Sequence, residues 1–427
     1  MKVAIFTLGC KVNQYESQVI CELLEKGGFT VVDSDETADI YIVNSCTVTS
    51  ESDRKNRQAV RRFKRRNPDS IVVLTGCMPQ AYPDDCKKLN EADIVLGNRS
   101  NHLIVEAINE YLQKNERCIL TSEHKTGDEF VPCRINSFRA RTRAEIKIED
   151  GCNRFCSYCA IPYARGRVRS KKISDIREES KALAEAGFCE IVLVGINLSA
   201  YRDGENDLCD AIKAASESDG ILRVRLGSLE PNYLTDSIIE RMAECKKLCP
   251  QFHISLQSGC DKTLKAMNRH YTSEEYYRIC KKIREVFDGA SVTTDVMTGF
   301  PGETDTDFEE SLEFVKKIGF EKVHVFPYSV RTGTKAASMD GQNEKSVKEA
   351  RAKVMSEETE KIRKDFLKKQ IGKTLSVLIE ELRDGAYHEG FTANYTPVKV
   401  FGECPDSGIV NVRITDTDDE SCIGNAI

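Results

Sequence analysis

The sequence contains no run of apolar residues long enough to cross a membrane. None of its hydrophobic stretches reaches the roughly eighteen residues that a transmembrane helix needs. The opening segment, MKVAIFTLGCKVNQYES, has neither the long apolar core nor the small-residue cleavage site of a secretory signal. Repeats of solenoid length and a coiled-coil seam are missing as well. We therefore expect a cytoplasmic protein that has no membrane partner and is a monomer.

Length and composition are those of an ordinary globular protein with several domains. The 427 residues suffice for two or three domains of roughly 150 residues each. Hydrophobic residues make up 40% of the chain, as in most globular proteins. The formal net charge of −6 is concentrated in residues 371–427, which contain ten acidic and four basic residues. The rest of the chain is therefore balanced in charge.

Basic residues are clustered in three runs, at 51–66, 139–143 and 165–172. Concentrated positive charge suits the phosphate backbone of a nucleic acid, although a single run is as often a solvated helix face. Two of the three runs flank the cysteine motif described next. This arrangement favours an RNA or DNA partner.

Cysteine is abundant, with eighteen residues, and no export signal accompanies it. A disulfide framework is therefore not expected, and metal or redox chemistry is the better default. Cys152, Cys156 and Cys159 follow the pattern C-x3-C-x2-C, and no fourth cysteine lies nearby. A structural zinc site takes four protein ligands, whereas an iron–sulfur cubane held by three thiolates keeps one iron open for a small molecule. The spacing favours the cluster over a zinc site with a remote fourth ligand or a catalytic thiol.

Residues 1–125 alternate short apolar strands with amphipathic helices, which predicts a parallel α/β domain. Three strands end alike, in VAIFTLGC, IYIVNSC and IVVLTGC, and each is followed within two residues by a cysteine: Cys10, Cys46 and Cys77. The carboxyl ends of parallel strands share one edge of a sheet. We therefore expect these three cysteines to meet there as a second metal site.

Strands and helices alternate again from about residue 140 to 345. Six strands are predicted, at 144–148, 190–195, 222–226, 252–256, 291–297 and 322–326. Six βα units suit a partial (β/α)6 barrel, whose reactive residues lie at the carboxyl ends of the strands. The C-x3-C-x2-C motif follows the first of these strands and is therefore placed where chemistry is expected.

The C-terminal part of the chain begins with a long charged helix predicted at 343–372. Beyond it, apolar residues alternate in twos between Gly, Asp and Pro, which predicts a small antiparallel β-barrel. The expected fold class is α/β, with three domains at 1–125, 138–368 and 369–427.

The motif C-x3-C-x2-C with Tyr158 before its last cysteine resembles the radical S-adenosylmethionine superfamily. The stretches TLGCKVNQYES, VNSCTVT, LTGCMPQ, HISLQSGCDKTLKAMNRHYT, DVMTGFPGETDTDFEES and VFPYSVRTGTKAA are similar to the methylthiotransferase family within it. This resemblance covers nearly the whole chain and implies an N-terminal α/β domain, a radical barrel and a C-terminal TRAM barrel. The opening GCKVNQYES is most similar to the branch that methylthiolates N6-threonylcarbamoyladenosine at position 37, in the anticodon loop of tRNA.

The resemblance also implies two [4Fe-4S] clusters and S-adenosylmethionine as cofactors. Cys152, Cys156 and Cys159 would bind the cluster whose open iron chelates S-adenosylmethionine, and one electron would then release a 5′-deoxyadenosyl radical. Such a radical is a reasonable means to attack the non-acidic C2–H of adenine. Cys10, Cys46 and Cys77 would bind the second cluster, which holds a sulfur species that another S-adenosylmethionine methylates. The reductant and the sulfur donor are not identified by the sequence.

The same motifs suggest cofactor-binding residues at the ends of the barrel strands, for each of which the alternative is a strand-end cap. Tyr158 is expected against the adenine of S-adenosylmethionine, and Gly195 and Asn197 near its methionine amine. The glycine of DVMTGFPGE would let the backbone approach a ribose or adenine. The remaining candidates are Gln257, Ser258, Asp295 and, as that glycine, Gly299.

Several other polar residues are expected to be structural or to bind RNA. His253 is predicted to be a packed histidine rather than a ligand. Glu303 and Arg331 fit a role in the pocket and membership of structural ion pairs equally well. Because the C-terminal barrel is acidic, RNA would contact either a local basic face with Lys399 and Arg413 or the runs at 51–66 and 165–172.

Two other functions stay open. The same chemistry could act on N6-isopentenyladenosine-37 of tRNA or on an aspartate of a ribosomal protein, although GCKVNQYES argues against both. A non-catalytic RNA-binding protein with structural metals would explain the basic runs. It would not explain why both cysteine triplets lack a fourth ligand, since closed sites serve structure better.

Overall fold

A computed structural model describes residues 1–136, 138, 142–383, 385–405 and 407–427. Three residues of the basic run predicted at 139–143 therefore lie outside the described part, namely 139–141.

The N-terminal part is a parallel α/β sheet, as predicted. Six strands form it in the order β2-β1-β3-β4-β5-β6. They are β1 (Lys2–Thr7), β2 (Thr30–Val32), β3 (Ile40–Ser45), β4 (Ile71–Gly76), β5 (Ile94–Leu96) and β6 (Cys118–Leu120). The helices that cover it are α1 (Lys11–Lys26), α2 (Ser50–Arg66), α3 (Cys77–Ala81), α4 (Pro83–Lys87) and α5 (Ile104–Lys114), with a 3-10 turn at Asn98–Leu103.

The central strands of this sheet are apolar because helices cover both of its faces. Every residue of β3 and β4 is buried, which is typical of a parallel sheet enclosed on both sides. The basic helix α2 packs Ala59, Val60 and Phe63 inward. Its start is fixed by Thr49, whose side chain accepts a hydrogen bond from the backbone of Ser52. The helix therefore follows β3 directly and leaves the carboxyl end of that strand open.

The second part is a partial barrel of parallel strands. Its strands are β7 (Ala144–Lys147), β8 (Glu149–Asp150), β9 (Arg169–Ser170), β10 (Glu190–Val194), β11 (Arg223–Leu226), β12 (Ser228–Leu229), β13 (Gln251–Ile254), β14 (Ser291–Thr298) and β15 (Lys322–Pro327). They pair as β7-β10-β11 and β12-β13-β14-β15, with a short antiparallel pair β8-β9, and a bridge between Val224 and Leu248 joins the two sheets. The six predicted strands are confirmed within two residues at each end. No pairing joins β7 to β15 in the described residues, so the barrel stays open.

Helices cover the outside of this barrel and enclose the largest apolar core of the molecule. They are α6 (Ile161–Arg165), α7 (Ile173–Glu185), α8 (Leu208–Ser216), α9 (Asp236–Glu244), α10 (Asp261–Ala266), α11 (Ser273–Val286), α12 (Asp305–Ile318) and α13 (Lys345–Lys368). Short 3-10 turns lie at Leu198–Ala200, Pro231–Tyr233 and Lys335–Ser338. The long charged helix predicted at 343–372 is α13, which ends four residues earlier than expected.

The C-terminal part is a closed five-stranded β-barrel. Its strands are β16 (Thr374–Arg383), β17 (Tyr387–Thr392), β18 (Pro397–Phe401), β19 (Gly408–Thr417) and β20 (Cys422–Ala426). The expected antiparallel barrel is confirmed, and the fold fits a TRAM-like module. One pairing differs: β18 and β20 run parallel, and this contact closes the barrel. Closure removes the exposed edges that a small sheet would otherwise present.

Buried arginines attach this barrel to the open side of the larger one. Arg225 pairs with Glu190 at 2.9 Å and donates to the carbonyl of Ala393 at 3.0 Å. Arg223 donates to the carbonyl of Ser376 at 2.7 Å. The C-terminal barrel therefore forms part of the wall of the central cavity described below. In the described part of the chain, no helix combines the length and the apolar character that a membrane crossing requires.

Candidate active site

Cys10, Cys46 and Cys77 lie together at the carboxyl edge of the N-terminal sheet, after β1, β3 and β4 respectively. In addition to burial, the largest cause, Cys10 is close enough to raise the pKa of Cys46, and both of these thiols raise the pKa of Cys77. Gly9, before the first cysteine, has a φ of +117°, and a Cβ there would lie 2.9 Å from that of Cys46. The loops that carry the first two cysteines thus touch. The three cysteines therefore converge at this edge of the sheet, as expected from the strand ends.

Asn13, fully buried in α1, holds these loops in position. Its side-chain nitrogen donates to the carbonyls of Leu8 at 3.1 Å and Ser45 at 2.9 Å. Its side-chain oxygen accepts from the thiols of Cys10 at 3.5 Å and Cys77 at 4.0 Å. One amide therefore links the ends of two strands and two of the three thiols.

Arg165 connects this triplet to the other one. It is fully buried at the end of α6, directly after the C-x3-C-x2-C loop. Its Nε donates to Sγ of Cys77 at 3.3 Å, and its Nη2 to the Asn13 oxygen at 3.0 Å. Burial raises the pKa of the Cys77 thiol to about 12, against the opposing effect of this guanidinium. A thiolate or metal-bound sulfur at this position would have a charged hydrogen-bond donor in place.

Positive charges outnumber negative charges in the network around the Arg165 guanidinium. Lys147 pairs with Glu16 and with Asp150, both at 2.7 Å, and Arg169 pairs with Asp150 at 3.2 Å. Burial would raise the pKa of Asp150, but Lys147 and the guanidinium lower it well below its usual range. Three cations thus meet two carboxylates in direct contact. A negative sulfur at Cys77 would balance the third cation.

Cys152, Cys156 and Cys159 lie on the loop between β8 and α6. The backbone of Cys152 donates to the carbonyl of Gly166 at 3.0 Å. Ser157 donates to the carbonyl of Met267 at 3.0 Å, which ties the loop to α10. Burial first, and the neighbouring Cys156 thiol second, raise the pKa of Cys159 to about 12. Three thiols are therefore fixed close together with their backbone held on both sides.

An arginine also donates to this second triplet. Arg269 Nη1 lies 3.3 Å from Sγ of Cys156, and its Nη2 pairs with Glu230 at 2.8 Å. Each triplet thus has one cysteine sulfur facing a buried guanidinium at the same distance. Hydrogen bonds to the sulfurs are one of the factors that set the reduction potential of a cluster.

Tyr158 is half-buried among apolar and aromatic side chains. Its ring meets that of Phe300 edge to face, with centroids 6.4 Å apart, in a cluster that includes Met297 and Tyr328. This packing holds the residue between Cys156 and Cys159 in a fixed orientation. Contact with an adenine ring remains a prediction.

Gly195 and Asn197 adjoin Cys152 through a buried carboxyl group. The backbone of Asn197 donates to Oε2 of Glu149 at 2.7 Å, and its side-chain nitrogen lies 3.9 Å from Sγ of Cys152. A Cβ on Gly195 would lie 2.7 Å from the same carboxyl oxygen. Burial raises the pKa of Glu149 well above its usual range. The side-chain oxygen of Asn197 and Oε1 of Glu149 are buried without a hydrogen-bond partner, so two acceptors face this site.

Gln257 and Ser258 follow β13 on a strained turn. Gln257 has a φ of +71°, and its backbone is bonded to Asp295 at 2.9 Å and to Met297 at 2.9 Å. Its side-chain oxygen is buried without a partner. The hydroxyl of Ser258 accepts from the backbone of Cys260 at 3.2 Å, directly before α10, and its role in cofactor binding stays a prediction.

The close approach expected at Gly299 is made by a helix. A Cβ there would lie 2.2 Å from Cγ of Lys348 in α13, and the backbone nitrogen donates to Glu303 at 2.8 Å. The glycine is needed for that packing, and contact with a ribose or adenine remains a prediction. Glu303 pairs with Arg351 at 2.8 Å and Arg331 with Asp53 at 2.8 Å, so both residues are in ion pairs, which was one of their two alternative roles.

A cavity of about 530 Å³ runs along the inside of the open barrel. Its wall includes Cys10 from the first triplet loop, Gly195 beside the second, Asp295 on β14, and Tyr395 from the C-terminal barrel. This volume is within the range of small-molecule sites. The cavity is therefore large enough for one nucleoside, and one triplet cysteine, Cys10, lies in its wall.

Sequence reasoning missed several residues of this region. His253, predicted to be packed in the core, lines the cavity, with Nε2 3.4 Å from Oδ2 of Asp295 and Nδ1 3.0 Å from the Thr293 hydroxyl. Asn13, Glu149 and Arg165 were not singled out either. Their only signal was a position within a few residues of a triplet cysteine.

The basic run at 165–172 is divided between surface and interior, with Arg167 and Lys172 exposed, and its role in RNA binding stays a prediction. Arg165 and Lys171 are buried, and Lys171 pairs with Glu179. The charge of Lys399 is neutralised by Asp418 at 2.8 Å. The run on α2 is exposed on one face of the helix and remains a candidate RNA surface.

No group of three or more cysteine, histidine or acidic side chains within the described ranges is close enough to hold a single metal ion. One zinc ion draws its thiolates to within roughly 4 Å of one another. A cluster of several irons is larger, and each iron takes one thiolate.

Two family profiles match the chain. The Radical SAM superfamily matches residues 146–315, and the uncharacterized protein family UPF0004 matches residues 2–97. The first match covers the loop with Cys152, Cys156 and Cys159, and the second covers Cys10, Cys46 and Cys77.

The chain is also similar to named enzymes over most of its length. The threonylcarbamoyladenosine tRNA methylthiotransferase MtaB of Bacillus subtilis is 37% identical over 96% of this chain and 93% of that protein. Its namesake in Thermotoga maritima is 40% identical over 88% of this chain and 86% of that protein. The tRNA-2-methylthio-N(6)-dimethylallyladenosine synthase of Alkaliphilus oremlandii is 33% identical over all of this chain and 93% of that protein.

Solved structures share the fold at low identity. The radical S-adenosylmethionine methyltransferase TsrM of Kitasatospora setae superposes with a TM-score of 0.57 at 15% identity, over 79% of this chain and 77% of that one. The cobalamin-dependent radical enzyme OxsB gives 0.51 at 13% identity, over 82% of this chain and 56% of that one.

The partial barrel and its cysteine loop define a radical S-adenosylmethionine enzyme. Within that class, the chain belongs to the methylthiotransferase family. It is therefore an enzyme that uses S-adenosylmethionine and [4Fe-4S] clusters.

Proposed function

We propose that the protein converts N6-threonylcarbamoyladenosine at position 37 of tRNA to its 2-methylthio derivative, with two molecules of S-adenosylmethionine per product. The observation that supports this proposal best is the shared cavity, whose wall reaches from Cys10 to Gly195. A base bound there would lie between a sulfur site and a radical site. The similarity to the B. subtilis and T. maritima enzymes supports the choice of nucleoside.

We assign one [4Fe-4S] cluster to Cys152, Cys156 and Cys159, and another to Cys10, Cys46 and Cys77. The donor sets fit, because each triplet has three thiols and a guanidinium that donates to one sulfur. When bound, the first cluster supplies the electron that cleaves S-adenosylmethionine, and the second holds the sulfur that is transferred.

The residues around Cys152 would position S-adenosylmethionine. The unpartnered oxygens of Asn197 and Glu149 can accept hydrogen bonds from its ammonium group. Gly195 leaves room for that carboxyl group, and the free oxygen of Gln257 is a further acceptor. Tyr158, Ser258, Asp295 and Gly299 complete the proposed pocket.

The remaining parts of the proposal concern organisation and partners. We propose domains at 1–125, 138–368 and 369–427, a monomeric cytoplasmic enzyme, and a TRAM-like role for the C-terminal barrel. The anticodon loop of tRNA would enter the cavity, with α2 as the basic surface nearest the first triplet. A reductant and a sulfur donor must act on the enzyme as well.

Nucleoside analysis tests the acceptor. In a deletion strain, mass spectrometry of tRNA hydrolysates should show loss of 2-methylthio-N6-threonylcarbamoyladenosine and an unchanged level of the isopentenyl derivative. Loss of only the isopentenyl derivative would assign the enzyme to the second substrate, and a change in neither would point to a ribosomal protein.

Iron analysis tests the two assigned clusters. After anaerobic reconstitution we expect about eight irons per chain, the content of two cubanes. Replacement of Cys152, Cys156 and Cys159 by alanine should halve it, and replacement of Cys245, outside both triplets, should leave it unchanged. Zinc in place of iron would refute the assignment.

A further inference from the structure

The wall of the cavity carries more positive than negative charge. Lys11, Lys322 and Arg363 line it, whereas Asp295 is the single carboxylate among the described lining residues. Asp295 in turn faces His253, with Nε2 3.4 Å from its Oδ2. An anionic group on the ligand is therefore favoured inside the cavity.

Lys11 is the cation near the first triplet that has no direct partner. Its ammonium makes no hydrogen bond or ion pair with any residue the structure describes, and Glu145 and Glu190 act on it only from beyond ion-pair distance. The neighbouring Arg225, by contrast, pairs with Glu190 at 2.9 Å. A half-buried ammonium without a counter-ion is unfavourable unless a ligand supplies one.

The position of Lys11 separates it from the other cavity cations. It directly follows Cys10, and consecutive Cα atoms lie about 3.8 Å apart. Its ammonium points towards the C-terminal barrel, 6.0 Å from the ring centre of Tyr395. Lys322, by contrast, is the exposed first residue of β15 and is remote in sequence from both cysteine triplets. Among the lysine and arginine residues that line the cavity, Lys11 is therefore the one that directly adjoins a cysteine of the proposed sulfur site.

Resting on the proposed function, we propose that the Lys11 ammonium binds the carboxylate of the N6-threonylcarbamoyl group and thereby selects this nucleoside. Adenine C2 and C6 belong to the same six-membered ring, and N6 is attached to C6. A base that presents C2 to sulfur held at Cys10 therefore extends its N6 substituent past the next residue. The threonyl substituent ends in a carboxylate, whereas an isopentenyl substituent is a hydrocarbon that would leave the ammonium unpaired.

The test measures how tightly the cluster-loaded enzyme binds synthetic anticodon stem-loops, by fluorescence anisotropy. One RNA carries N6-threonylcarbamoyladenosine, and a second carries the methyl ester of that carboxylate. We expect the wild-type protein to bind the free acid about 10- to 100-fold more tightly than the ester, the range of a charge-assisted hydrogen bond. The Lys11→Gln protein should bind the free acid and the ester equally tightly. Lys11→Arg should preserve most of the preference for the acid.

Lys322→Gln is the matched control, because it removes another lysine, an exposed one, from the wall of the same cavity. It should leave the ratio of acid to ester unchanged. Equal binding of acid and ester by the wild-type protein overturns the inference. Equal weakening of both RNAs by Lys11→Gln also overturns it, because that is the behaviour of a phosphate contact.

Iron content and visible absorption verify that each variant carries its clusters. If the Lys11→Gln protein does not carry its clusters, the Lys11→Met protein replaces it in the test. The wild-type protein by itself can also overturn the inference, namely if it binds the acid and the ester equally. Failure of the proposed function has a different signature. The wild-type enzyme would then not methylthiolate the threonylcarbamoyl RNA, whatever its binding ratio.

Discussion

Replacement of Arg165 by glutamine should lower the reduction potential of the cluster assigned to Cys10, Cys46 and Cys77. The guanidinium Nε donates to Sγ of Cys77 at 3.3 Å in a fully buried setting. Reduction adds a negative charge to a cluster, so a cation bonded to its sulfur stabilises the reduced form more than the oxidised form. Its removal should therefore make the potential more negative.

The size of this shift can be worked from the contact. A hydrogen bond to a charged group contributes about 1.5–3 kcal/mol. If about half of the lower value stabilises the reduced state alone, the shift is ~0.8 kcal/mol, which is about 35 mV for a one-electron couple. Loss of the charge adds to this, and we expect a decrease of about 35–100 mV in total.

The measurement is a potentiometric titration followed by electron paramagnetic resonance. It is made with Cys152, Cys156 and Cys159 replaced by alanine, so that one cluster is titrated. Arg169→Gln is the matched control, because Arg169 pairs with Asp150 in the same network and is not bonded to a triplet sulfur. We expect its shift to be less than half as large.

Because Arg165→Gln leaves Glu16 with Lys147 as its remaining cation, circular dichroism should verify the fold of the variant. Removal of one partner of a buried pair costs about 3–5 kcal/mol. Arg165→Lys keeps the charge and should give an intermediate potential. A folded, loaded Arg165→Gln protein with a potential within about 10 mV of the parent would refute this role for the hydrogen bond.

Three further predictions concern the cofactor pocket and stability. Gly195→Ala would place a methyl group 2.7 Å from Glu149 Oε2, and we expect a decrease of about tenfold or more in S-adenosylmethionine affinity by equilibrium dialysis; an unchanged affinity would contradict the proposed pocket. Hydrogen bonds from Lys262 and the Thr304 backbone outweigh burial and lower the pKa of Asp307 to about 2. The resulting stability is fully present above pH 4 and is lost as the pH falls towards 2. Asp307→Asn should therefore lower the free energy of unfolding by about 1 kcal/mol at pH 7 and have little effect near pH 2 in denaturant titrations. An equal effect at both pH values would exclude this charge as the cause. Arg331→Leu breaks a buried pair between barrel and N-terminal sheet and should lower stability by about 3 kcal/mol, seen as an earlier thermal transition by circular dichroism; no change in that transition would show that the pair is dispensable.

Local patterns explain why so much of the architecture was accessible from the sequence. Strand and helix periodicity are properties of short segments, so the six barrel strands were located within two residues. The first cysteine triplet was also accessible, because parallel strands bring their carboxyl ends to one edge whatever their order in the sheet. Neither inference needs to know which side chains touch.

The same reasoning failed where the partner of a side chain decides its role. The run at 165–172 has the composition of a nucleic-acid surface, but Arg165 is enclosed by residues far away in sequence, such as Glu16, 149 positions earlier. His253 looked like a core residue because its neighbours on the strand are apolar, yet its side chain faces the cavity. Gly299 suggested a ligand, and the structure places Lys348 against it.

The sequence by itself determined the α/β class, the three successive structural parts, and two cysteine triplets at strand ends, since each follows from spacing along the chain. Only the tertiary structure decided that Arg165 links one triplet to the loop of the other, that Cys10 and Gly195 line one cavity, and that Lys11 lines it without an ion-pair partner among the described residues. The physical reason is that ion pairing, burial and cavities depend on distances between residues remote in the chain, which no local pattern encodes.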